Sequence, residues 1–202
     1  MQKFKKYLSM TAVVLLVASL VTAAMWFCVG DVFDRSMSSI GREYYSLFMP
    51  WAILLSATLL TSYTAVGMKV GVKVKRKWGA VFYAFVVVAA MAQLVSNLTL
   101  GTDPTSMAIH LWFSLIFGVT SLILLALLLL ICCVKAESAS RIFWIALGCF
   151  HVVVSLGFLG TILVFDFTAF YQILVVLFGW SMLLVLNLIP VKTPDDCVVC
   201  SD

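Results

Sequence analysis

The side chains best suited to chemistry gather near one end of the long apolar segments of this 202-residue chain. Gln93, Ser96 and Asn97 stand late in the third segment, His110 and Ser114 early in the fourth, and Gln172 early in the sixth. The loop after the first segment adds Asp34, Arg35, Ser38, Ser39, Arg42 and Glu43. A guanidinium beside carboxylates and amides can hold a phosphate or sugar headgroup, because its planar fork meets two oxygens at once. His110 with Asp34 or Glu43 would form an acid and base if the fold brought them within reach. The same groups can instead pair with one another and with water at a membrane rim, and the sequence leaves both readings open.

Other chemistry is thinner. His110 and His151 are the only histidines. A rise of 1.5 Å per residue puts His151 about 15 Å deep and His110 only about 4 Å deep. Rings at such different depths argue against shared haem or metal ligation, and a zinc site would still lack its third ligand. For His151, with Gly148 and Ser155 on the same face, the expectation is an interhelical hydrogen bond. The motif Cys197-Val198-Val199-Cys200 lacks the strand–helix setting of a redox pair and half the ligands of structural zinc. Cys132, Cys133, Cys197 and Cys200 are read as inert or acylated thiols. Nothing here calls for a cofactor or for nucleic acid.

The elements that position these groups are six apolar runs, residues 8–29, 45–67, 78–98, 108–134, 142–165 and 169–190, followed by a short polar tail, 191–202. Hydrophobic residues make up 64% of the chain and charged residues 11%, less than half the roughly 25% of a soluble domain. A span of about 20 apolar residues crosses the bilayer core, and in hydrocarbon the backbone must satisfy itself, so these runs are predicted to be helices. The expected fold is all-α: one polytopic six-helix transmembrane bundle over residues 1–202.

Charge falls on alternate connectors. One face receives eleven cations, Lys69, Lys73, Lys75, Arg76 and Lys77 among them, against four carboxylates; the other receives Arg35 and Arg42 against five. By the positive-inside rule the first face, with both termini, is cytoplasmic. The cluster from Lys69 to Lys77 is expected against anionic lipid headgroups. The first run is read as a retained anchor and not a cleaved signal, because it continues apolar through Met25, Trp26 and Phe27 to Val29. Trp78, Trp112, Trp144, Tyr44, Tyr45 and Tyr171 are expected as interfacial anchors. Thr58, Thr61, Ser62 and Ala65, and likewise Ala80, Ala84, Ala89 and Ala92, are expected as close-packing faces.

Ser38-Ser39-Ile40-Gly41 resembles the Ser-Asp-x-Gly turn in the first outer loop of the six-pass DRAM-type and FRAG-type membrane proteins and of a related prokaryotic six-pass family. Phe48, Asn97 and His110 resemble that family's aromatic start to the second helix, its Asn closing the third and its His opening the fourth. Ser39 departs from the expected Asp, and Leu98 from the usual Phe after the Asn. The resemblance implies a protein of lipid homeostasis, autophagy or trafficking with no established catalytic triad. The leading expectation is thus a non-enzymatic protein whose outer polar pocket (Asp34, Arg35, Arg42, Glu43, Gln93, Asn97, His110, Ser114 and Gln172) recognises a lipid headgroup or a membrane partner, itself or another protein. The alternatives are a transporter or channel for an uncharged solute and a membrane-embedded lipid-modifying enzyme.

Overall fold

The structure, a computed structural model, describes residues 2–29, 31–164 and 168–191. Cys197 and Cys200 lie outside the described residues, as do Asp166 and Lys192. The described residues form helices and turns with no strand. Among the described residues six helices are long and apolar enough to cross a bilayer, so the chain is a multi-pass helical membrane bundle. These are α1 (Gln2–Met25), α3 (Tyr45–Lys69), α4 (Lys77–Leu98), α5 (Pro104–Lys135), α6 (Ser138–Val164) and α7 (Ala169–Leu188). A 3-10 turn, Trp26–Cys28, closes α1, and a short helix, α2 (Met37–Glu43), fills the loop before α3.

Around the bundle the order is α6, α5, α4, α3, α1, α7, with α3 also against α7. Buried positions on α3, among them Phe48, Ala52, Leu55, Thr58, Leu59, Tyr63 and Val66, cover one broad face, while Ile53, Ala57 and Leu60 on the opposite side are exposed. α1 buries a narrower stripe, Ala12, Leu16, Ser19 and Ala23, at spacings of four, three and four. Small residues let α1 approach α3 closely enough for Ser19 and Thr58 to share a 2.7 Å hydrogen bond between their hydroxyls. The first span is therefore an integral wall of the bundle.

Several expectations need correction. α1 begins at Gln2, not residue 8, and α5 runs 32 residues, about 48 Å, beyond what a 30 Å core requires. Trp144 is no interfacial anchor, since it is wholly buried, whereas Trp78 is 86% exposed. Ala80 and Ala84 are exposed; only Ala89 and Ala92 of the α4 set pack inward. Thr61 is half-buried and turns its hydroxyl onto Ala57 of its own helix. His151 forms no interhelical hydrogen bond through Nδ1 and instead stacks on Phe178 of α7, 5.8 Å between ring centres and 8° between planes.

Backbone detail explains the turn between α3 and α4. Gly71, at φ +78°, ends α3 in the left-handed conformation, and Val72 N–H bonds Gly67 O while Gly71 N–H bonds Met68 O. The chain then doubles back so tightly that a Cβ on Gly79 would lie 2.0 Å from Lys73 O. Tyr83 of α4 donates to Val72 O at 3.1 Å and fixes the loop from beneath.

Candidate functional site

Two separate polar groups occupy the face where the sequence gathers its chemistry. The first belongs to α2 and the loop before it. Ser36 caps α2 by accepting from Ser39 N–H, and the carbonyls of Val32 and Arg35 accept from Phe170 and Ala169 N–H at the start of α7. Those bonds hold Arg35 where its guanidinium meets Glu43 at 2.6 Å and the Ser39 hydroxyl at 3.1 Å. The Arg35 hydrogen bond holds the Glu43 carboxyl below its ordinary value of 4.5. Gly41 lies against the Phe48 ring, which a Cβ would meet at 2.8 Å, so the turn residue and the aromatic start of α3 are packing partners.

The second group joins α3, α4 and α5. Ser96 hydrogen-bonds the Ser114 hydroxyl at 2.6 Å, and His110 Nδ1 lies 2.7 Å from Ser96 O. Because a carbonyl can only accept, the His110 ring donates from Nδ1, and Nε2 forms no hydrogen bond among the described residues. Gln93 is buried and accepts from Ser56, a residue the sequence reading missed; no local pattern distinguishes it from other small residues on α3. Asn97 donates to Gln93 O of its own helix at 2.7 Å.

Arg42 links the two groups. It is exposed, and its one side-chain hydrogen bond among the described residues, to Leu100 O, is long at 3.5 Å. Arg42 and His110 thus address the same end of α4, at the carbonyls of Leu100, just past the helix, and Ser96, in its last turn. Compared with known proteins, the chain matches no family model, no curated protein and no solved structure. Its function has to be read from this geometry.

The remaining candidates scatter. Asp34 is exposed, and Gln172 is half-buried on α7, which packs on α1 and α3 away from His110. Neither Asp34 nor Glu43 lies within ion-pairing distance of His110; Glu43 pairs instead with Arg35. The pairing of His110 with Asp34 or Glu43 as acid and base is therefore not assembled. No group of three His, Cys, Asp or Glu gathers among the described residues.

At the lysine-rich face Lys69 turns back onto α7, donating to Leu186 O, Asn187 O and Ile189 O at 2.8–2.9 Å. It caps a helix and is drawn away from the headgroup role expected of it. Lys135 donates to Val70 O, and Lys5 to Met68 O at 3.3 Å. Lys73, Lys75, Arg76 and Lys77 are exposed and unpaired among the described residues. Cys132 is fully buried and out of reach of an acyl donor, while Cys133 is half-buried.

Proposed function

We infer that the protein is a non-enzymatic membrane protein that recognises the headgroup of an outer-leaflet phospholipid through Arg42 and His110. One observation carries the reading: Arg42 and His110 Nε2 both keep unused hydrogen-bonding capacity at the end of α4, whereas Arg35, Gln93, Ser96 and Asn97 are committed to neighbours. The guanidinium suits phosphate oxygens, and Nε2 suits a headgroup hydroxyl. The likeness to the DRAM-type proteins points the same way, toward lipid homeostasis or trafficking. Transport is less well supported, because two cavities, one lined by Trp26 and Trp51 and the other by Phe82 and Phe85, each draw their lining from one half of the bilayer depth.

Native mass spectrometry of the detergent-purified chain tests this. A hydrogen bond to a charged partner contributes about 1.5–3 kcal/mol, so Arg42→Ala is expected to lower phospholipid occupancy about tenfold or more. Arg35→Ala, which removes a committed guanidinium from the same loop, should leave occupancy within about twofold. Unchanged lipid content in Arg42→Ala overturns the reading.

A further inference from the structure

Lys73 and Arg76 stand at the mouth of a cavity of about 520 Å³ between the α3–α4 turn and the lysine-rich halves of α4 and α5. Phe82 and Phe85 form one wall, and Ile123, Leu127 and Ile131 the other. Phe85, Ile123 and Leu127 are exposed, so the groove opens sideways toward lipid. From Ile123 to Ile131 is about 12 Å along the helix, most of the depth of one leaflet. Trp78, also lining the cavity, lies at its rim, where an indole marks the membrane–water boundary.

The mouth is held in place. The left-handed turn at Gly71, the contact of Gly79 with Lys73 O and the Tyr83 hydrogen bond place the Lys73–Arg76 segment directly over the start of α4. Segment 69–77 contains five cations and no carboxylate, and Lys73 and Arg76 are unpaired among the described residues. A greasy slot one leaflet deep beneath two free cations complements a molecule with an anionic head and an apolar tail. An apolar partner helix would instead strip water from both charges with nothing to replace it.

We propose that this groove binds an anionic glycerophospholipid of the lysine-rich leaflet, with Lys73 and Arg76 on the phosphate and one acyl chain against Phe85 and Leu127. The site is independent of Arg42 and lies in the opposite leaflet.

The test titrates delipidated full-length protein with phosphatidylglycerol and with phosphatidylcholine, read by native mass spectrometry. The K73A/R76A double variant should weaken phosphatidylglycerol binding about thirtyfold, at about a factor of five per surface cation. K75A/K77A removes equal charge from the same segment outside the cavity lining and should cost only a few-fold. L127W should block the slot without touching a charge. A phosphatidylglycerol carrying a diazirine in its acyl chain should crosslink to the α5 peptide containing Leu127 in the unaltered protein, whether or not L127W folds. Equal losses in the two double variants would mean diffuse attraction only. That result, full binding by L127W, or crosslinking confined to other helices overturns the proposal; Arg42→Ala should change none of these readouts.

Discussion

The two rims of the bundle handle charge in opposite ways. On the carboxylate-rich rim Arg35 meets the Glu43 carboxylate and the Ser39 hydroxyl, and Ser96 and Ser114 share a hydrogen bond, so side chain answers side chain there, while Arg42 and His110 reach carbonyls near the end of α4. On the lysine-rich rim the ammonium groups of Lys5, Lys69 and Lys135 answer backbone carbonyls. Chain direction explains the difference. Antiparallel threading ends α3, α5 and α7 on the lysine-rich rim, and each helix end leaves its last carbonyls unsatisfied with partial negative charge. Lysine on this face therefore caps helix ends as well as charging the rim. Lys73, Lys75, Arg76 and Lys77 are exposed and make no such bond among the described residues.

Gly79→Ala would strain this comparison most. If backbone packing sets the lysine-rich turn, a methyl group 2.0 Å from Lys73 O must force the segment off α4, at about 3 kcal/mol, the upper range for overpacking. Gly118→Ala is the control, since nothing lies within 4 Å of its added Cβ, and alanine there should be neutral or stabilising by up to about 1 kcal/mol. Thermal unfolding in detergent measures both. Equal melting temperatures would mean that the turn yields freely and does not fix Lys73.

Lys69→Met comes next. It keeps the aliphatic stem but loses three hydrogen bonds to the end of α7, an expected cost of about 2 kcal/mol. Lys73→Met, four residues on, should move the melting temperature little, because no described partner is lost. Similar shifts for the two would erase the distinction between capping and free lysines.

That distinction could not be read from sequence. Lys69 and Lys73 share charge, type and neighbourhood, and only the arrival of α7 beside α3 separates them. The spans themselves were legible, because hydrocarbon imposes length and composition residue by residue. Trp144 misled for the reverse reason: a tryptophan near a span end reads as an anchor, yet packing against neighbouring helices buries it. α2 carried a local signal, the Ser36 cap with Met37, Ile40 and Gly41 turned inward, but seven residues among charges fall below what apolar periodicity resolves. At the site, His110 and Ser114 stand one turn apart and were expected together. Their partner Ser96 and the placing of Gln172 on α7, away from His110, depend on which helices are neighbours.

The smallest expected effect separates the rims by pH. Glu43 lies below its ordinary value of 4.5 in the folded protein, chiefly through its hydrogen bond with Arg35. A depressed carboxyl contributes its stability above the unfolded value and loses it as pH falls through the lower folded one. Arg35→Gln should thus lower the melting temperature slightly near neutrality, with the gap to the parent closing below about pH 4.5 as both chains come to carry a protonated Glu43. The gap should also shrink in high salt, because the pair is exposed. Lys69→Met should hold its deficit across the same acid window, since carbonyl oxygens have no proton to gain there. An Arg35→Gln deficit that persists unchanged at acid pH would place the stabilisation in the Ser39 contacts, making the carboxylate-rich rim, like the other, one that holds its cations on uncharged oxygens.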